Sequence, residues 1–171
     1  MDRDDAGGAP LERSFEEIFR RAYQPLVRAL TVASGNREVA ADCVQEAFCR
    51  AYARWRRVGR YDDPVAWVRR VATNVFIDHE RRRGRAGRAM DRLGPPAVVA
   101  PPDPHALDLA AVFAELPPQR RIAAALYYVD GLPVEEVAHA MKLSTGAVKY
   151  HLHEARAQLR PVLEPLLDGD T

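Results

Sequence analysis

The sequence predicts an all-α protein of two small helical domains joined by a proline-rich linker. Apolar residues recur with helical periodicity through most of the 171 residues, and no segment shows the sustained alternation typical of a β-strand. Five prolines lie within the 11 residues from Gly94 to Pro104, a composition that favours an extended linker over a packed element. The predicted domains are 14–93 and 107–165. The linker is 94–106, and flexible tails are expected at 1–13 and 166–171.

Composition limits the kinds of protein this can be. No run of apolar residues approaches the roughly 18 that a membrane-spanning helix requires. The first ten residues, MDRDDAGGAP, are polar and acidic and do not resemble a secretory signal. Cys43 and Cys49 are six residues apart in one helical pattern and face different directions, so we expect reduced thiols in a cytoplasmic protein. A redox role for them stays an alternative.

The charge is distributed unevenly along the chain. The net charge is only +1, but residues 50–93 contain 13 arginines and 5 acidic residues, a local charge of +8. The segments before and after this block are acidic. A concentrated basic block is typical of a surface that meets phosphate or another polyanion, although a solvated arginine-rich surface is the alternative.

Three helices are predicted in the N-terminal domain. The first spans about 14–33, and its apolar stripe consists of Phe15, Ile18, Phe19, Ala22, Leu26 and Leu30. Pro25 is expected to kink it. The second spans about 37–57 and follows Asn36, a good N-cap residue. The third spans about 64–83, with Asp63 as its N-cap and Pro64 at the first helical position.

Two of these helices carry polar stripes that we consider functional. On the second helix the neighbours Asp42, Gln45, Glu46 and Cys49 form an acidic surface, which is either a docking surface for a basic partner or a plain solvated face. The stripe of the third helix consists of Trp67, Arg70, Asn74, Asp78 and Arg81, widened by Arg69, Thr73, Arg82 and Arg83. Arginine contacts phosphate, asparagine pairs with base edges and tryptophan stacks on unpaired bases, so this stripe favours nucleic acid over a solvated helix. Asp78 is expected to position Arg81 or Arg82 through a pair at i+3 or i+4.

The C-terminal domain ends in a helix-turn-helix pattern. A short helix is followed by helices at about 118–129 and 134–141, a short turn containing Leu143, and a last helix capped by Ser144 or Thr145. An ordinary antiparallel helix pair is the alternative. On the last helix we expect Val148, Leu152, Ala155 and Leu159 to be buried. Lys149, His153, Arg156 and Arg160 form a basic stripe flanked by Tyr150. His151 lies on another side of the helix from His153, which argues against a shared metal ion.

Three ordered blocks of the sequence resemble the extracytoplasmic-function group of bacterial sigma factors. ADCVQEAFCRAYARW is similar to the family's polymerase-docking segment. DPVAWVRRVATNVFIDHERRR is similar to the segment that binds and melts the minus-ten promoter element. The segment from LPPQRR to ARAQLR is similar to the domain that binds the minus-thirty-five element. The resemblance covers about residues 14–163 and implies a non-enzymatic protein without cofactor or metal.

The resemblance also implies partners and residue roles. The partners are core RNA polymerase, through its largest and second-largest subunits, promoter DNA as duplex and melted strand, and in some family members an anti-sigma factor. The residues implied in docking on core polymerase are Asp42, Gln45, Glu46 and Phe48. Those implied in minus-ten binding are Arg60, Tyr61, Asp62, Trp67, Arg70, Asn74, Asp78, Arg81 and Arg82. Those implied in minus-thirty-five binding are Ser144, Thr145, Ala147, Lys149, Tyr150, His153 and Arg156.

The last helix departs from the family's usual pattern. Ala147, Tyr150, His151 and Glu154 stand where threonine, serine, arginine and arginine are usual. Because the salt dependence of affinity scales with the number of phosphates neutralised, we expect the last helix to bind duplex DNA more weakly and with less salt dependence. The alternative function is a two-domain helix-turn-helix regulator that binds duplex DNA without polymerase. A pure interaction module leaves the +8 block unexplained, and an enzyme finds no support in a phosphate loop or a nucleophile–base pair.

Overall fold

In the computed structural model of the chain, described for residues 9–90 and 109–167, every regular element is helical. Eight α-helices follow one another, and the sixth continues into a π-helical turn at Ala125–Val129. Their bounds are α1 Ala9–Ser34, α2 Arg37–Ala53, α3 Trp55–Val58, α4 Pro64–Met90, α5 Leu109–Ala114, α6 Pro118–Ala124, α7 Val134–Met141 and α8 Thr145–Leu167. The all-α prediction is confirmed. The predicted linker, 94–106, lies outside the described residues.

The predicted caps of the N-terminal helices are present. The side chain of Asn36 accepts hydrogen bonds from the backbone N–H groups of Glu38 and Val39, at 2.9 and 3.2 Å. The Asp63 carboxylate accepts one from the N–H of Ala66 at 2.9 Å, with Pro64 at the first helical position. These bonds satisfy N–H groups that a helix leaves without partners in its first turn. They fix where α2 and α4 begin, and therefore which of their residues face outward.

Three helix boundaries differ from the sequence prediction. Helix α1 begins at Ala9, inside the predicted tail, and Pro25 lies within it. The predicted second helix is interrupted at Arg54, whose backbone leaves the helical region at φ −120° and ψ 22°. Helix α4 continues to Met90, beyond the predicted end at 83. A glycine in a helix costs only about 1 kcal/mol relative to alanine, so Gly84 among helix-forming arginines and alanines does not end α4.

The two helical domains pack against each other and share one hydrophobic core. Helix α1 contacts α2 and α4 on one side, and α5, α6 and the π-helical turn on the other. Helix α4 also contacts α7 of the C-terminal domain. Phe76 on α4 and Leu26 on α1 are fully buried, as are Ile122 and Leu126 of the C-terminal domain. Helix α4 therefore presents one face to the core and the C-terminal domain, and the opposite face to solvent.

Candidate nucleic-acid interface

The polar stripe of α4 lies largely in solvent. Arg70, Asp78, Arg81 and Arg82 are exposed. Arg81 forms an exposed ion pair with Asp78 at 3.7 Å, as predicted. The Nε of Arg82 instead donates to the backbone carbonyl of Asp78, at 3.2 Å. Asp78 thus orients two arginines through different groups, and both arginines remain exposed to solvent.

Asn74, at the centre of the stripe, is already engaged. It is half-buried, and its side-chain amide donates to the backbone carbonyl of Ala140 on α7 at 3.3 Å and to the carbonyl of Arg70 one turn earlier. Trp67 is also half-buried. The amide predicted to meet a base therefore contacts the C-terminal domain in this conformation, which the sequence pattern of α4 alone does not reveal.

The loop before α4 extends the stripe. Arg60, Tyr61 and Asp62 are exposed, and the ring of Tyr61 borders solvent. Gly59 shapes this loop because a Cβ there would lie 3.0 Å from the carbonyl oxygen of Trp55 and 3.1 Å from its indole ring. The close approach of backbone and indole sets the direction in which the loop leaves α3. The predicted minus-ten residues thus occupy one continuous surface of loop and helix.

The helix-turn-helix geometry is present in α7 and α8. Lys142 ends α7 in the left-handed conformation at φ 56°, and the N–H of Leu143 donates to the carbonyl of Ala138 at 3.0 Å. The Ser144 hydroxyl caps α8 by accepting from the N–H of Ala147 at 3.1 Å. The predicted buried residues of α8 are buried, namely Val148, Leu152, Ala155 and Leu159. The exposed side includes the predicted minus-thirty-five residues Ser144, Thr145, Lys149, Tyr150, His153 and Arg156, with Ala147 half-buried at its edge.

Two of the unusual residues of α8, Tyr150 and Glu154, contact Arg120 on α6. Arg120 forms an ion pair with Glu154 at 3.2 Å and donates a hydrogen bond to Gln158 at 2.9 Å. Its guanidinium also lies 6.0 Å from the ring centroid of Tyr150, within range of a cation–π contact. Glu154 and Tyr150 therefore tie α8 to α6. The sequence pattern of α8 does not predict this contact because Arg120 lies at least 30 positions away from these residues.

His151 packs against the domain rather than facing outward. Its ring is half-buried, and its Nδ1 is buried without a hydrogen-bond partner among the described residues. Burial lowers the pKa of His151 below its ordinary value, and the nearby charge of Arg120 lowers it further. His151 is therefore neutral at neutral pH and does not replace the positive charge of the arginine usual at this position.

The acidic surface of α2 is exposed, with one correction. Asp42, Gln45, Glu46 and Cys49 face solvent, and Glu46 pairs with Arg50 at 2.8 Å. Phe48, predicted to belong to the docking surface, is only 4% exposed. Its ring packs edge-on against those of Phe15 and Phe19, because position 48 falls on the apolar side of α2. Phe48 thus supports the surface from beneath.

The sequence did not predict that two aromatic side chains beside this surface are exposed. Phe19 lies on the predicted apolar stripe of α1 but is 39% exposed, and Tyr52 is 69% exposed. Both belong to an aromatic cluster with Phe15, whose ring centroid lies 5.2 Å from that of Tyr52. Exposed aromatic rings at one end of an acidic surface are typical components of a protein interface. Their exposure depends on how α1 crosses α2, which periodicity does not define.

The described residues provide neither a metal site nor a reactive thiol pair. Among them, no group of three His, Cys, Asp or Glu side chains is arranged to hold a metal ion. Cys43 and Cys49 are both free, and burial, reinforced by nearby acidic residues, raises the pKa of Cys43 to about 11. No helix in the described ranges is long and apolar enough to cross a membrane.

Two known families match separate parts of the sequence. Residues 19–86 match Sigma-70 region 2, and residues 106–159 match Sigma-70, region 4. The first match contains the acidic surface of α2 and the stripe of α4. The second contains the helix-turn-helix.

Named relatives agree with these matches. The ECF RNA polymerase sigma factor SigE of Mycolicibacterium smegmatis is 32% identical over 94% of this chain, which spans only 65% of that protein's length. The ECF RNA polymerase sigma factor SigM of Bacillus subtilis is 30% identical over 86% of this chain and 93% of its own length.

Solved structures share the fold. The sigma factor RpoE of Bartonella quintana, in complex with the anti-sigma factor NepR, has a TM-score of 0.63 at 22% identity, covering 95% of this chain and 97% of its own. CnrH, in complex with the cytosolic domain of CnrY, has a TM-score of 0.62 at 24% identity, covering 95% and 96%.

Proposed function

We propose a role for each of the three exposed surfaces of this chain, which belongs to the extracytoplasmic-function (ECF) sigma factors of RNA polymerase. The acidic surface of α2 docks on core polymerase, the stripe of α4 captures the melted minus-ten strand, and α8 holds the upstream duplex. The domain limits that accompany these roles are 14–93 and 107–165, with the linker at 94–106. The chain acts as a non-enzymatic specificity subunit, without cofactor, alongside polymerase in the cytoplasm.

The observation that carries the minus-ten role is the chemistry of the continuous surface formed by the loop and α4. It combines exposed arginines, which bind phosphate, with Tyr61 and Trp67, whose rings are suited to stack on unpaired bases. A surface that binds a splayed strand better than a paired one shifts the equilibrium towards open DNA by that difference in affinity. Strand melting then requires no chemical step from the protein.

The upstream role is assigned to the exposed side of α8. Ser144 and Thr145 lie at the helix N-terminus, where backbone N–H groups favour phosphate contacts. Lys149 and Arg156 project from the same helix into solvent. Since Glu154 pairs with Arg120 and His151 is neutral, few charges of α8 remain for the duplex. We therefore expect modest affinity for the minus-thirty-five element.

The docking role is assigned to Asp42, Gln45 and Glu46, with Phe19 and Tyr52 as apolar neighbours. The partner is core RNA polymerase through its largest and second-largest subunits, and the surface suits a basic helical segment with exposed apolar side chains. RpoE is found in a complex with the anti-sigma factor NepR, which supports an anti-sigma factor as a further partner of this chain.

Run-off transcription with purified core polymerase tests the function. Core polymerase with this protein should yield promoter-dependent transcripts from a pool of genomic fragments, and the two should co-elute on gel filtration. Absence of both results would overturn the proposal. The regulator that acts without polymerase predicts duplex binding but neither result, and the comparisons with known proteins give that alternative no support.

Paired variants separate the docking role from the melting role. Arg70→Ala and Asn74→Ala should reduce promoter opening, followed by permanganate reactivity of unpaired thymines, while core binding is retained. Glu46→Lys should weaken core binding while leaving capture of a preformed fork template by any bound protein unaffected. Loss of core binding by Arg70→Ala, with normal melting, contradicts the assignment of α4.

A further inference from the structure

Arg120 of α6 contacts three residues of α8 that follow one another at intervals of about one helical turn. It forms an ion pair with Glu154 at 3.2 Å and donates a hydrogen bond to the side-chain oxygen of Gln158 at 2.9 Å. The carbon at the centre of its guanidinium lies 6.0 Å from the ring centroid of Tyr150. Residues four apart lie on the same side of a helix, so one cation serves all three. We call these four side chains the Arg120 cluster.

Tyr150 is the member of the Arg120 cluster that points away from the domain. At about 100° per residue it lies roughly 190° from the centre of the buried stripe of α8, and it is 56% exposed. Lys149 and Arg156 lie on one flank of the helix, roughly 100–120° from Tyr150. A helix in the major groove presents its outward side to the base edges and its flanks to the phosphate backbones. The direction of Tyr150 therefore suits contact with a base, whereas Lys149 and Arg156 suit contact with phosphate.

Arg120 restrains the Tyr150 ring before DNA is bound. The Arg120 side chain is only 22% exposed, and its ion pair with Glu154 and its hydrogen bond to Gln158 fix the guanidinium. The ring of Tyr150 rests against this fixed cation, and the ring centroid of His151 lies 5.8 Å from that of Tyr150. An exposed tyrosine without such neighbours samples several rotamers and loses that freedom when it binds. The Arg120 cluster therefore lowers the entropic cost of a contact made by Tyr150.

We propose that Tyr150 reads a thymine of the upstream duplex by contacting its 5-methyl group, and that Arg120 positions Tyr150 for this contact. The proposal rests on the upstream role proposed above for α8. Thymine is the base that presents a methyl group in the major groove, and apolar or aromatic side chains are its usual partners there. The serine usual at position 150 has no comparable apolar surface. Tyrosine at this position therefore adds a specificity determinant, and Arg120 supplies the second residue that it requires.

Replacement of thymine by uracil tests the contact because uracil lacks only the 5-methyl group. A duplex that the full-length chain prefers is first selected from a pool with a randomised block of base pairs, and each of its thymines is then replaced in turn. At one position the replacement should lower affinity about fourfold in fluorescence anisotropy, as expected for the loss of one buried methyl group. A pool that yields no preferred sequence, or a duplex in which no replacement lowers affinity, would overturn the proposal.

Two variants of Tyr150 assign the methyl contact to its ring. Tyr150→Ser should bind the thymine and uracil forms of the duplex equally well at that position. Tyr150→Phe keeps the ring without the hydroxyl and should retain the preference for thymine. Because Tyr150 is exposed, neither substitution should disturb the fold. A preference that persists in Tyr150→Ser would assign the methyl contact to another residue and contradict the proposal.

Variants of Arg120 and its partner test positioning with a matched control. Arg120→Gln frees the ring, and since ordering it then costs about as much as the methyl contact gains, the preference for thymine should fall towards one. Arg156→Gln removes the same charge from the flank of α8 and should weaken both duplexes by one factor, so that the preference is unchanged. If Arg120→Gln fails to fold, Glu154→Arg repels the guanidinium from α8 and should also lower the preference. An unchanged preference in Arg120→Gln and Glu154→Arg would refute the positioning role.

Failure of this proposal and failure of the proposed function give different results. If the preference for thymine depends on Tyr150 and Arg120 but core polymerase with the unmodified chain gives no transcript, the proposed function fails and the thymine contact stands. If the transcripts appear but Tyr150→Ser distinguishes thymine from uracil as the unmodified chain does, the proposed function stands and the thymine contact fails.

Discussion

Removing two exposed charges from α8 should change the salt dependence of DNA binding by a calculable amount. Lys149 and Arg156 are exposed, and neither forms an ion pair with another described residue. Each phosphate neutralised on B-DNA adds about 0.9 to the slope of log affinity against log salt. The double variant Lys149→Ala, Arg156→Ala should therefore lower the slope by about 1.8. Between 50 and 200 mM salt this corresponds to about tenfold less loss of affinity than in the unmodified chain.

Fluorescence anisotropy on a short labelled duplex measures this change. The phosphate contribution does not depend on sequence, so the assay requires no knowledge of the target promoter. Arg37→Ala provides the control, because it removes an exposed charge at the start of α2, away from both proposed DNA surfaces. An unchanged slope in the double variant would refute the assignment of α8 to duplex DNA. An equal change of slope per charge removed in Arg37→Ala would show that the salt dependence reports only the net charge of the protein.

Three further predictions follow from packing and burial. Phe48→Ala should lower the free energy of unfolding by about 3–5 kcal/mol in urea titrations, whereas a surface phenylalanine would cost little. Gly59→Ala should destabilise the chain by about 1–3 kcal/mol because its Cβ meets Trp55, whereas Gly84→Ala, with nothing within 4 Å, should stabilise it. Because burial lowers the pKa of His151, the protein should lose stability as pH falls below about 6.5, and thermal melts of His151→Gln should show less of this loss.

The parts of the fold that could be predicted are those defined by local pattern. The caps at Asn36 and Asp63, the turn at Leu143 and the buried side of α8 each depend on residues within a few positions of one another. In each case the residues that form the hydrogen bond or the apolar stripe lie close together in the sequence, and the structure contains the predicted feature. The exposed surface of α2 follows the same logic, since 42, 45, 46 and 49 share one side of a helix.

What could not be predicted depends on contacts distant in sequence. The sequence pattern of α4 does not distinguish its polar residues from one another. Arg69 and Glu80 nevertheless face the C-terminal domain, whereas Arg70 and Arg81 face solvent. Only the position of a second domain distinguishes the two sets. Phe19 illustrates the converse, because an apolar residue on the expected stripe is 39% exposed although its ring contacts Phe48 of α2.

Glu154 shows how a departure from a family pattern acquires a physical meaning. Considered alone, an acidic residue on a DNA-binding helix predicts repulsion from phosphate. Its ion pair with Arg120 changes that expectation, because the carboxylate is neutralised within the domain and Arg120 is in turn withheld from the duplex. On the proposed role of α8, the substitution therefore replaces a DNA contact by a contact between α6 and α8. On the proposed roles, weaker binding upstream places more of the discrimination between promoters on the loop and stripe of α4, whose Arg70, Arg81 and Arg82 are already exposed.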